Sequence, residues 1–201
     1  MAEQYFGEGR GVSDFLVVTV ESGVGMGIVI NNKLFRGTRG CGAEFGHTKV
    51  QLDGALCRCG QRGCLEAYVA DYALMREAYV ASGGKGYANI AELLTSSRGG
   101  DEMARTIVTR ASRMFAMGLA NLANIFDPEL IILSGERMQM DHLYASEVID
   151  RIREATIQVD MPPPRVVIHK WGDLMWARGA AAFAIDAVAD MAIERLCEVA
   201  E

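Results

Sequence analysis

His47, Cys57, Cys59 and Cys64 fall within eighteen consecutive residues, 47–64. All four are residue types that ligate a soft divalent metal. Three thiolates and one imidazole fill the corners of a tetrahedron and leave no position for water, so the set suits a structural zinc rather than a hydrolytic one. The knuckle Cys57-Arg58-Cys59-Gly60-Gln61-Arg62-Gly63-Cys64 can bring its sulfurs together only if the backbone turns sharply, and Gly60 and Gly63 permit that. Arg58 and Arg62 lie between the thiolates, where their charge is expected to keep the sulfurs deprotonated. Two disulfides or unrelated thiols are the alternative, and they fit poorly. Cys57 and Cys59 are too close in sequence to pair comfortably, and a crowded cysteine cluster behind no signal peptide points to metal. Cys41 and Cys197 are left over and are expected to be packed free thiols.

The elements that must position these ligands come from a chain of 201 residues, half of them hydrophobic, with a net charge of −6. That is enough to bury one ample core or two modest ones, and no run approaches a membrane-spanning length. With no dense Lys/Arg cluster, DNA contact is expected only through a region outside these residues. The start MAEQYFGEGRG has no basic segment followed by an apolar one, so the expected compartment is the cytoplasm and no membrane partner is expected.

Ala2 to Tyr5 reads as the tail of a helix terminated by Gly7, Gly9 and Gly11, which suggests a fragment. Phe15–Val20 is a short β-branched strand, and Gly27–Ile30 a second, joined by the connection ESGVGMG and followed by an Asn31-Asn32 turn. A single helix is expected from Leu65 to about Ser82, on Leu65, Val69, Tyr72 and Met75. A short helix at Ile90–Leu94 and a long one at 101–125 follow, the latter ending at Asp127-Pro128. Glu129–Leu133 reads as a buried strand, 144–157 as a helix broken by Met161 and Pro162–Pro164, Arg165–His169 as the last strand and Trp176–Leu196 as a terminal helix. Strands and helices intermix, which predicts a layered α/β domain without a linker.

The segment VESGVGMGIVINNKLFRGTRGCGAEFGHTKVQLDGALCRCGQRGCLE strongly resembles the signature of the ROK family of bacterial sugar kinases and sugar-responsive repressors, and PELIILSGE and GDLMWARGAAAFA resemble its later segments. The resemblance implies an α/β, actin-like (ribonuclease H-like) lobe with an inserted structural zinc loop at 44–66. The whole chain, 1–201, would be one C-terminal sugar-sensing domain. It further implies that Glu44, His47 and Glu66 contact a sugar. The chemistry agrees, because carboxylates accept hydrogen bonds from vicinal hydroxyls and a metallated imidazole keeps one N–H to donate. The alternative for Glu44 and Glu66 is a carboxylate that supports a metal ligand or sits at a helix N-terminus. A homodimer is also expected from the resemblance.

The pattern departs from the kinases in three places. Kinase members place a catalytic Asp just before the helix to which Ala2–Gln4 belong, and only Asp14 lies near, in the wrong context. Their phosphate loop reads G-T-G-x-G, where this chain has Glu21 before Ser22, Gly23 and Gly25, a degenerate loop whose acid would repel a polyphosphate. A tight β-turn is an equal explanation for those glycines. The adenosine-side loop brings a second acid, Glu136. ATP and Mg²⁺ are therefore not expected, and the expected role is the sugar-effector domain of a ROK-type transcriptional regulator. A fragment of an ATP-dependent sugar kinase is the alternative.

Overall fold

The apolar run at the start of the chain forms strand β1 (Phe15–Val20), and the computed structural model builds a five-stranded mixed sheet around it in the order β3-β2-β1-β4-β5. The structure describes residues 1–135, 146–157, 162–170, 172 and 174–199. Strands β2 (Val24–Ile30) and β3 (Lys33–Leu34) add antiparallel on one side of β1, and β4 (Leu130–Ser134) and β5 (Arg165–His169) add parallel on the other. This order and mixture of directions is the actin-like, ribonuclease H-like arrangement that the family signature implies. Every residue of β4 is buried, as its aliphatic run Leu130–Leu133 suits a strand covered on both faces.

Alternation along β1 and β4 sorts the core into two halves. Leu16, Val18, Val20, Ile131 and Leu133 face the larger half, with helices α2 (Glu66–Val69), α3 (Asp71–Ala81), α4 (Ile90–Arg98), α5 (Glu102–Phe126) and α6 (Ser146–Ala155). Phe15, Val29, Leu130 and Ile132 form the smaller half on the opposite face. There α1 (Ala2–Phe6) meets α7 (Met175–Val199), and the side chain of Glu3 is joined to His169 of β5, with a 2.8 Å separation between Oε2 and Nδ1. Helix α7 carries exposed Trp176, Ile185 and Leu196.

Several boundaries differ from the sequence reading. The first hairpin connection is only Glu21–Gly23, because Gly25 and Gly27 pair with Thr19 and Val17 as strand residues. The single helix expected from Leu65 is two helices. Ala70 is extended (ψ 158°), and the Asp71 amide donates to the Glu21 carbonyl at 3.2 Å instead of continuing the helix. Helix α4 runs on to Arg98, and Asn89 caps its start, accepting from the Glu92 amide at 2.9 Å. The Asn31-Asn32 turn is borne out, with φ of 51° and 61° at its two residues. The expected packing of Cys41 and Cys197 is not: both are exposed, since a glycine loop and an open helix face leave neither enclosed. Tyr144, Glu136 and Met161 lie outside the described residues.

Helix α5 supplies the floor under the cysteine segment. Gly118 sits where a Cβ would come within 2.9 Å of Phe45 Cζ and 3.0 Å of Leu65 Cδ2, so the missing side chain lets the turn that carries His47 dock on the helix. At its N-terminus Asp101 accepts from the Ala104 amide and from the Tyr87 hydroxyl, each at 3.0 Å, and the Ala104 bond holds the Asp101 carboxyl below the usual carboxylate range.

Replacing Gly118 by Val is expected to destabilise the protein by about 1–3 kcal/mol through overpacking; an unchanged denaturation midpoint would show that Phe45 and Leu65 have room to move. For Asp101 the folded value is depressed, so its contribution is fully present above the ordinary carboxylate pKa and is lost as pH falls through the depressed value. The stability gap between wild type and Asp101→Asn should therefore narrow on acidification, as read from urea unfolding at neutral and acidic pH. A gap independent of pH would contradict that capping role.

Candidate metal centre

Residues 45–47 form a 3₁₀ turn that presents His47, and the chain then folds back on itself through two isolated bridges, Lys49 with Cys64 and Leu56 with Arg62. Cys57 N donates to Gln61 O at 2.8 Å and Gly60 N to Cys57 O at 3.0 Å, closing the tight turn that carries Cys57 and Cys59. Gly63 is indispensable to this geometry. Its φ is +77°, and an added Cβ would fall 1.8 Å from the Gln51 carbonyl oxygen.

The result is a donor set. The ligand atoms of His47, Cys57, Cys59 and Cys64 all lie within 4.8 Å of one another. Cys59 Sγ is 3.7 Å from Cys64 Sγ, and Cys57 Sγ is 3.7 Å from His47 Nδ1. Tetrahedral zinc with bonds of ~2.3 Å to sulfur and ~2.0 Å to nitrogen requires separations of about 3.6–3.8 Å. Those two pairs match such an ion, and these four residues could hold it.

The counter-charge comes from an unexpected residue. Arg58 stacks its guanidinium over the Tyr72 ring, 3.8 Å from the centroid, and Arg62 donates to the Gly54 carbonyl at 3.2 Å, so neither guanidinium serves the sulfurs as the sequence reading expected. Lys49 does. Its ammonium donates to Cys64 Sγ at 3.1 Å and to the His47 carbonyl at 3.0 Å. Burial pushes the Cys64 thiol up and Lys49 opposes it, whereas the Gln61 backbone amide holds the exposed Cys59 thiol below the ordinary cysteine range. Lys49 is two residues after His47, an alternation that would place it beside the cluster if the segment had been recognised as extended.

Around this cluster the structure gathers the other residues singled out in the sequence. His47 turns Nδ1 toward the sulfurs and Nε2 toward Glu44, whose Oε2 is 3.9 Å away. Glu66 borders Cys57 on the other side, with 3.8 Å between Oε1 and Sγ. Its Oε2 accepts from the Val24 amide at 3.2 Å and lies 3.0 Å from where a Cβ on Gly23 would be. Glu66 therefore touches the Glu21–Gly23 turn, in which Ser22 and Gly23 sit, while Gly25 lies within β2. Tyr72, not identified from the sequence, donates to Glu66 Oε1 at 3.4 Å and stands 3.7 Å from Cys57 Sγ. Burial, and then Cys57, push its hydroxyl pKa upward, so it remains a neutral donor.

Asp14 is elsewhere. It precedes β1, whereas the Glu21–Gly23 turn follows it, a separation of roughly 22–24 Å along an extended strand. There its carboxylate clamps the second hairpin, accepting from the Asn31 amide at 3.1 Å and from the Ser13 hydroxyl.

Comparison with known proteins converges on one family. The model of the ROK family matches residues 1–187. The xylose repressor of Caldicellulosiruptor bescii is 27% identical over 92% of this chain and 49% of its own length. The glucokinase of Thermotoga maritima is 35% identical over 67% of this chain and 46% of its own length. The crystal structure of a ROK hexokinase from Thermus thermophilus superposes with a TM-score of 0.80 at 32% identity, covering 90% of this chain and 62% of that one. The chain spans about half the length of the curated relatives it matches.

Gly63→Ala should abolish high-affinity metal uptake while Gly60→Ala, where nothing stands within 4 Å of a Cβ, should retain it despite a strained φ of +86°. Metal analysis after gel filtration reads both. A Gly63→Ala protein with a full equivalent of metal would contradict the assigned geometry.

Proposed function

Because the chain belongs to the ROK family, we propose that it is the sugar-effector domain of a ROK-type transcriptional regulator, with DNA contact made by a region outside these residues. In this reading a small sugar sits against Glu44, His47 and Glu66. The two carboxylates accept from its hydroxyls and the imidazole Nε2–H donates to it. His47, Cys57, Cys59 and Cys64 hold zinc, which fixes the tautomer and aim of His47 and cross-links the segment.

The observation that carries a regulator rather than a kinase is the position of Glu21. A Cβ on Gly135 would meet Glu21 Oε1 at 3.3 Å, so the carboxylate lies between the β1–β2 turn and the end of β4. Those are the two loops that hold phosphate and adenosine in the family's kinases. A fixed negative charge between them opposes a polyphosphate and leaves sugar binding untouched. Glu44 and Glu66 are carboxylates beside the metal centre, whereas Asp14 lies at the opposite end of β1.

Sugar binding alone can regulate: a ligand with different affinities for two conformations shifts their populations, and the coupling is reciprocal. A second reading, a portion of an ATP-dependent sugar kinase, is favoured by the 35% identity to a glucokinase.

Thermal unfolding of the zinc-loaded protein with xylose, glucose and other aldoses separates the two. One sugar should raise the midpoint, by an amount corresponding to about 2.7 kcal/mol at a hundred times its Kd. Glu66→Gln should weaken that sugar about tenfold or more, since it removes a charged hydrogen-bond acceptor, and MgATP should neither shift the midpoint nor release ADP. ADP release with a hexose would establish the kinase reading, and indifference to every sugar would discard both.

A further inference from the structure

We propose that Cys59 and Cys64 form an oxidation site, at which a hydroperoxide converts the two thiolates to a disulfide and so frees the bound metal. The four ligands are unequal in a way that a purely structural site does not require. Cys59 is exposed, whereas Cys57 and Cys64 are buried. An oxidant arriving from solvent therefore meets the Cys59 sulfur first. Cys57 is enclosed by His47 Nδ1 at 3.7 Å, the Tyr72 hydroxyl at 3.7 Å and Glu66 Oε1 at 3.8 Å. Cys64 lies 3.7 Å from Cys59 and carries the Lys49 ammonium at 3.1 Å, which makes it the partner that can resolve an oxidised Cys59.

The Cys59 thiolate attacks one peroxide oxygen, the O–O bond breaks, and the departing hydroxide takes a proton from solvent to become water. Cys59 is then a sulfenic acid. The Cys64 thiolate attacks the Cys59 sulfur, the S–O bond breaks, and the second hydroxide takes a proton from solvent to become water. In sum, two thiolates, one hydrogen peroxide and two protons give one disulfide and two waters. The sulfurs lose two electrons and the peroxide oxygens gain them.

A disulfide no longer supplies two anionic donors, so only Cys57 and His47 remain, too few to retain zinc. The effect on function rests on the sugar reading: with the metal gone, the His47 imidazole is no longer fixed beside Glu44, and sugar affinity should fall at least tenfold until thiol and zinc are restored.

The test uses the zinc-loaded chain, stepwise hydrogen peroxide and a chromogenic zinc chelator. Arg58 and Arg62 separate all three thiols into different tryptic peptides, so mass spectrometry identifies the pair directly. One zinc released per peroxide consumed, with the 59–62 peptide joined to the 63–76 peptide and parted by dithiothreitol, is the expected result. Zinc retained through several equivalents of peroxide, or a disulfide that includes Cys57, would overturn the proposal. If the reduced, zinc-loaded protein binds no sugar, the sugar reading fails while zinc release and the linked peptides still decide the oxidation.

Discussion

The convergence of three sulfurs and one imidazole is the constraint on which this lobe's candidate site is built. Residues 37–65 contain few buried apolar side chains, so burial alone would not hold the segment in one conformation. What the segment has instead is a donor set whose atoms already lie within 4.8 Å of one another, and a backbone bent to bring them there. The metal-free cluster concentrates thiols that repel one another once ionised, with Lys49 as their adjacent cation. A divalent ion at the centre would reverse that repulsion and turn the loop into a rigid wall.

Rigidity here matters because the neighbouring carboxylates are positioned through the cluster. Glu66 follows Cys64 by two residues, so a metal that anchors the sulfur also anchors the carboxylate. Glu44 reaches the same place through His47. From Glu66 the linkage continues to the Val24 amide, and through Glu21 to Asp71, where the helix after the knuckle is broken. The sheet turn, the metal segment and the start of α3 therefore form one hydrogen-bonded unit. That is the physical basis on which occupancy of a sugar site could be felt at the edge of the sheet.

On the proposed reading, the charge pattern favours binding over phosphoryl transfer. Phosphoryl transfer needs a base at the sugar hydroxyl and a site that tolerates a polyphosphate. Carboxylates flank the candidate metal centre and also lie beside Gly135, and Asp14 is committed to a hairpin at the opposite end of β1. Binding a neutral, polyhydroxylated ligand asks only for acceptors and a directed N–H, both of which the cluster's neighbours offer.

Much of this was legible in the sequence for local reasons. Ligand identity and spacing named the metal-binding residues, because the four donors lie within one short segment whose glycines allow a tight reversal. Strand and long-helix positions followed from apolar periodicity, and the Asn31-Asn32 turn from its own backbone preference. What the sequence could not decide were contacts between segments far apart along the chain. The break at Ala70 exists because a distant carbonyl, that of Glu21, captures the Asp71 amide. Lys49 rather than Arg58 or Arg62 faces the sulfurs because strand-like pairing of residues 49 and 64 aims its side chain there, while an aromatic ring and a carbonyl draw the two arginines away. Residue types and local spacing determined which atoms can bind; only the folded chain decided which of them face each other, because hydrogen bonds across the fold outweigh the local preferences they override.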